Sequence, residues 1–184
     1  MMLAVFASAA LAATLTVGPN GDYATIQGAV DNAASGDVIQ VAAGTYIEQV
    51  TVDRADLAAL TIRGPSTQRP EIVGPNGKVV TLIARDVHLT LENMRVTASA
   101  SAPTAQRAIR LRTLDDDNAD VTVLTVSNVL LTGPTTSGTL AVSCAPEDAD
   151  DTVIVEGSGL SFNGWDLLGE ATCVGYTQGW DIDD

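Results

Sequence analysis

Short segments in which every second residue is apolar recur along this chain of 184 residues. Ile39-Gln40-Val41-Ala42-Ala43 is followed after 21 residues by Leu60-Thr61-Ile62-Arg63-Gly64, and after another 29 by Leu89-Thr90-Leu91-Glu92-Asn93. Leu124-Thr125-Val126-Ser127-Asn128 comes 35 residues later, and Val153-Ile154-Val155-Glu156-Gly157 after a further 29. The first and third residues of each segment share one face of a strand. The fifth is Gly or Asn in the last four copies, residues that tolerate a left-handed backbone and let a strand turn a corner. Met94-Arg95-Val96-Thr97 and Val129-Leu130-Leu131-Thr132 continue two copies into a second strand.

Strand, bend, strand, loop and the same face again is the pattern of a parallel β solenoid. One coil cannot bury its inner face alone, so coils stack about 4.8 Å apart and share columns of aliphatic side chains. Irregular spacing places insertions in the loops. An antiparallel sandwich is the competing architecture, but it does not require the repeated register. Four to five coils are expected. Residues 25–34 are expected to form a capping helix, because Ile26, Ala29, Val30 and Ala33 fall on one stripe. Thr25 supplies the N-cap and Ser35-Gly36 the stop. The β domain is expected to run over 14–162. Residues 163–184 read as an acidic tail or an incomplete C-terminal cap, with Trp165 and Trp180 either closing the core or stacking on sugars.

The start of the chain, Leu-Ala-Val-Phe-Ala-Ser-Ala-Ala-Leu-Ala-Ala over 3–13, has the length of a signal-peptide apolar core. Ala10-Leu11-Ala12 is a cleavage motif and Ala7-Ser8-Ala9 a second, so residues 1–13 are expected to be removed and the mature chain to begin near Ala13 or Thr14. No Lys or Arg precedes Arg54, which departs from the usual basic lead; a buried first strand or helix is the alternative. The two cysteines, Cys144 and Cys173, agree with export. A bridge between them would stabilise by roughly 3–4 kcal/mol through the unfolded chain; two buried thiols are the other reading. Without a CxxC or Cys/His cluster, zinc has no support. A secreted, cell-surface or periplasmic location follows from this reading.

Charge changes the picture further. Residues 1–112 hold nine basic and nine acidic groups, whereas 113–184 hold fourteen acids and no base, giving the net −14. That balance excludes a general nucleic-acid binder, which needs Lys and Arg against phosphate. No apolar run reaches the roughly 18 residues of a membrane span. The acidic half either binds a cation such as calcium or forms a solvated surface.

The segment LTVGPNGDYATIQGAVDNAASGDVIQVAAGTYIEQVTV over 15–52 resembles the opening of pectinesterases and other pectin-lyase-like proteins. In those, a G-D-Y-x-T-I-Q-x-A-V cap helix leads into V-x-V-x-x-G-x-Y-x-E-x-V. The resemblance covers about 40 residues and implies an all-β, right-handed parallel β-helix with a short N-terminal capping helix. Ala105-Gln106-Arg107-Ala108-Ile109-Arg110-Leu111 loosely resembles the pectinesterase Q-A-V-A-L segment, which would give Gln106 an oxyanion-stabilising role. The Q-D-T-L and D-F-I-F-G motifs and the later Arg-Trp segment, which carry the family's acid/base Asp, nucleophilic Asp and cation, have no counterpart. Esterase chemistry is therefore not expected.

Arg107, Arg110 and Arg112 alternate with Ala108, Ile109 and Leu111, and could meet uronate carboxylates bidentately; ordinary outward arginines balancing nearby acids are the plainer reading. Asp115, Asp117 and Asp120 offer oxygen ligands for calcium without forming a D-x-D-x-D-G loop, and no cofactor is required. His88, the single histidine, reads as a strand-surface residue, with no G-x-S-x-G elbow to make it catalytic. The sequence thus supports an exported, carbohydrate-associated β-helix module without demonstrated catalysis, its ligand sites Gln106, Arg107, Arg110, Arg112, Trp165 and Trp180. A polysaccharide-active enzyme and a structural surface or adhesin fragment, with a partner on its open C-terminal end, are the alternatives.

Overall fold

A computed structural model describes residues 11–99, 106–113, 120–133, 140–146, 151–163, 173–174 and 180–182. Strand β1 (Thr14–Val17) is followed by helix α1 (Ile26–Asn32). The first full coil consists of β2 (Val38–Val41), β3 (Thr45–Ile47) and β4 (Val50–Val52). The next two are β5 (Ala59–Arg63), β6 (Glu71–Val73) and β7 (Val80–Arg85), then β8 (His88–Glu92), β9 (Arg95–Thr97) and β10 (Arg107–Arg112). In the fourth, β11 (Val121–Thr132) runs through the first corner before β12 (Leu140–Ala145). Above it lie β13 (Thr152–Asn163), β14 (Cys173–Val174) and β15 (Trp180–Ile182).

All the described pairings are parallel, and they build three walls around one core. The first wall stacks β1, β2, β5, β8, the first half of β11, the first half of β13, and β14. The second stacks β3, β6, β9, the second halves of β11 and β13, and β15. The third stacks β4, β7, β10 and β12. This is the expected parallel β-helix. The third wall went unrecognised in the repeat, because Val80–Arg85 and Leu140–Ala145 lack the Asn/Gly corner that marks the first.

Alternation fixes the core. On the first wall Ile39, Ile62, Leu91 and Val126 stack in register, all buried, beside Leu60, Leu89, Leu124 and Val155. On the third, Val50, Leu82, Ile109 and Val142 stack beside Val52, Ala84, Leu111 and Cys144. The structure corrects the sequence alignment at two steps. Ile39 pairs with Ile62 rather than Leu60, and Leu124 with Val155 rather than Val153. Each slip is two residues, so the inward face is unchanged; a period of two hides it from the pattern.

The corner after the first wall is held by backbone chemistry. Asn93 and Asn128 have φ of 53° and 57°, and Gly159, which lies opposite Asn128, has 68°. Asn128 Nδ2 donates to Asn93 Oδ1 at 2.7 Å, Asn93 Nδ2 donates to the Gly64 carbonyl at 3.4 Å, and Arg69 donates to Asn128 Oδ1. Asn is thus used twice over, for its tolerance of the left-handed region and for an amide that links one coil to the next. Gly157, taken from the repeat as the corner residue, pairs instead with Val126; the two-residue slip moves the corner to Gly159.

Helix α1 covers the first coil with Ile26, Ala29, Val30 and Ala33, all buried. Thr25 caps it as expected, its Oγ1 accepting from Gly28 N at 3.1 Å, while Glu48 takes the free amides of Ile26 and Gln27 at 2.9 and 2.8 Å. The helix stops earlier than expected, at Asn32 with Ala33 as C-cap. Arg54 explains this: its Nη1 donates to the carbonyls of Val30, Asp31 and Ala33, ending the hydrogen-bond ladder from outside.

Gly157 has a φ of 119°, and a Cβ there would lie 2.0 Å from the Val126 carbonyl oxygen. Gly157→Ala is therefore expected to cost about 3 kcal/mol or more in urea denaturation, from strain plus overpacking. Gly77→Ala, at a φ of 80° with open space around it, should cost only about 1 kcal/mol for the backbone. Equal losses would contradict this account of the upper coils.

Candidate functional site

The third wall gathers four arginines. Along β10 Ile109 and Leu111 point inward and are buried, Arg110 and Arg112 point outward and are half-buried, and Arg107, also half-buried, opens the strand. Register with β7 and β12 is unbroken from Arg107 to Arg112, so Arg107 falls on the parity of Ile109 and Leu111, and Ala108 is buried on the parity of Arg110 and Arg112. Arg112 pairs in register with Arg85 on β7, and Arg110 with Ile83. Neighbouring strands lie about 4.8 Å apart and alternate residues on one strand roughly 6.6 Å apart, so Arg85, Arg110 and Arg112 form one compact basic patch with Arg107 at its end. The Nε atoms of Arg85 and Arg107 are buried and without a hydrogen-bond partner.

Like charges opposite one another on a sheet destabilise it, and this pair stands in a chain of net charge −14. Arg85 was missed in the sequence because it belongs to the unrecognised third wall. The signal for it was the apolar run Val79–Ala84, which ends in Arg85-Asp86 as the apolar alternation of β10 ends in Arg112. Gln106, expected beside these arginines as a ligand-contacting group, is instead buried at 4% exposure immediately before β10.

Below the patch, a buried network pins the exits of β7 and β10. Thr122 Oγ1 accepts from Asp86 N at 2.8 Å and donates to the Arg112 carbonyl at 2.5 Å. Thr113 Oγ1 donates to Asp151 Oδ2 at 2.5 Å, and Asp151 Oδ1 accepts from Asp120 N at 3.0 Å. Asp86 itself has a φ of 48°, a sharp turn out of the arginine-bearing strand. The position of Arg85 and Arg112 is thereby set by backbone contacts from the following coil.

Asp115, Asp117 and Trp165 lie outside the described residues. Asp120 sits at the turn into β11, away from any cluster able to hold a metal: among the described residues no group of three or more His, Cys, Asp or Glu does so. Trp180 opens β15, paired with Leu160. Cys144 is buried on β12 and disulfide-bonded; the chain's other cysteine, Cys173, begins β14. Residues 1–10 are likewise outside the described part.

His88 lies on the outer face of the first wall. Its Nε2 is 2.9 Å from Thr125 Oγ1, which donates to Glu156 Oε1 at 2.9 Å. With the hydroxyl proton directed to Glu156, the oxygen faces His88 as an acceptor. A nucleophile activated by His would need the opposite polarity, so the chain of three is a coil-to-coil tie. Displaced titrations occur elsewhere. Hydrogen bonds from the Thr16 side chain and backbone hold Asp22 below the usual carboxylate value, the Arg54 guanidinium does the same for Asp56, and burial, with Glu48 nearby, raises Tyr46. All three belong to the N-terminal end of the coil stack rather than to the arginine wall.

Among solved structures, the chain is similar to the deglycosylated pectin methylesterase of Aspergillus niger, at 16% identity and a TM-score of 0.46. That match covers 95% of this chain and 86% of the other. The same enzyme in a penultimately deglycosylated form gives 15% and 0.38 over the same shares. No family model matches the chain, and no curated protein does. The parallel β-helix rests on the three parallel walls, and the chemistry of the site on the arginines alone. No helix among the described residues is long and apolar enough to cross a membrane.

Thr122→Val should leave the Asp86 amide and the Arg112 carbonyl without their shared partner, costing about 1–3 kcal/mol. Thr122→Ser should retain most of the stability. Guanidinium unfolding of the three proteins tests this, and a Val variant as stable as the parent would remove the network from the account.

Proposed function

We propose that this chain is an exported β-helix module that binds an acidic polysaccharide along the outer face of its third wall and performs no chemistry on it. The observation that carries the reading is the register match of Arg112 with Arg85, extended by Arg110 and Arg107 on the same wall. A solenoid wall presents its groups at a fixed spacing, which suits an extended polymer bearing one carboxylate on each sugar. Guanidinium groups accept such carboxylates in a fork, and strands hold them more rigidly than loops would. Export is supported by the signal-like start, and the absence of catalysis by the missing pectinesterase Asp motifs.

Calorimetric titration with polygalacturonate and with a neutral glycan tests this reading. Saturable binding of the uronate polymer alone is expected, weakening as salt rises because the contacts are ionic. Arg85→Ala and Arg112→Ala should each lower affinity about tenfold, the loss of one charge-assisted contact. Arg95→Ala, exposed on the second wall, should leave it unchanged. Equal binding of both glycans, or none, would overturn the proposal.

A further inference from the structure

Asp37 is a carboxylate at 5% exposure in the turn between α1 and β2. Its Oδ2 accepts from Ala34 N at 2.8 Å and its Oδ1 from Ala13 N at 2.7 Å. Among the described residues no cation is paired with Asp37. A buried charge satisfied only by amides is costly compared with one that meets an opposite charge. Ala13 is also where pairing begins: Val38 N donates to its carbonyl at 2.9 Å, whereas Leu11, two residues before, is 94% exposed. The nitrogen that meets Asp37 is the one that would be freed by cleavage after the small-x-small motif Ala10-Leu11-Ala12.

We infer that the peptide bond between Ala12 and Ala13 is a processing site, and that the new α-ammonium group of Ala13 forms a buried ion pair with Asp37 that locks β1 onto β2. A signal-type peptidase adds water across the bond. The hydroxyl joins the Ala12 carbonyl to give a carboxylate, and the Ala13 nitrogen takes the proton and a second from solvent to become the ammonium group. No oxidant or cofactor is needed. The lock forms only after the leader has gone, so the first coil is completed in the compartment to which the chain is delivered.

The charged groups around this pair are few. Arg54 at the end of α1 is engaged by Asp56 and by the carbonyls of Val30, Asp31 and Ala33. Asp31 accepts from Gln27 Nε2. β2 and β5 contribute only backbone groups and Ser35–Ala59 contacts near Asp37. The ammonium group therefore has Asp37 as its own partner, and the adjacent carboxylate should raise its pKa above the ordinary α-amine value of ~8. A raised amine pKa means stability that is present below pH ~8 and lost as pH climbs through the raised value.

The full chain, exported by a secreting host, tests this by mass and by melting. The mass should correspond to loss of residues 1–12; any other N-terminus overturns the inference. The processed protein should melt about 3 °C higher than the unprocessed full chain at pH 7, with the gap closing by pH ~10. Asp37→Asn should abolish the gap. Should that variant fail to fold, acetylation of the α-amine, with Lys78 the single competing lysine, should lower the melting temperature at pH 7 and not at pH ~10. Superimposable pH–stability curves for processed, unprocessed and acetylated protein would overturn the lock.

Discussion

No coil of this chain can bury its own inner face, and every other feature follows from that. Ile39 is covered only because Leu15 lies below it and Ile62 above, and Ile62 only because Leu91 follows. The stack is held by nearest-neighbour burial, so each element must keep register with the one beneath it. Corners, caps and ties all serve that requirement. Asn93 and Asn128 do so at the first corner, Thr122 at the exit of the third wall, and the His88–Thr125–Glu156 chain on the outside of the first wall. At the lower end, where no coil lies beneath, α1 supplies the missing neighbour, held in place by Glu48 at its start and Arg54 at its end.

The same constraint decides what could be read from sequence. The first wall was legible because apolar-x-apolar followed by Asn or Gly records both a face and a corner. The third wall was not, because its corner chemistry is spread over Thr113, Asp120, Thr122 and Asp151, residues far apart along the chain that meet only when coils stack. Register within the first wall was legible only modulo two. Pairing Ile39 with Leu60 or with Ile62 buries equally apolar columns, and loop lengths, which sequence leaves free, choose between them. The helix was placed correctly at Thr25 by local capping chemistry and misplaced at its end, since a guanidinium from 21 residues downstream terminates it.

The candidate site shows a similar division. Arg107, Arg110 and Arg112 stand out as bases before a chain half with none, and the structure keeps all three on one wall. Arg85 completes them through stacking alone. Gln106 was selected by likeness to a motif, and the structure places it buried immediately before β10. A motif of few letters records residue types and not the burial of a residue at the mouth of a strand.

The basic residues are confined to positions 54–112 of the chain, and a solenoid converts that confinement into height. Residues up to 112 occupy the lower three coils, and the base-free remainder builds the coils above. The arginine patch therefore sits at the upper boundary of the base-bearing part, beneath coils whose described residues include Asp120, Asp151 and Glu156 and no base. An anionic polymer would be attracted by the patch and repelled from the coils above, so the field favours a ligand lying across β7 and β10 over one climbing the wall toward β12. A neutral wall of the same shape would not discriminate between those two directions.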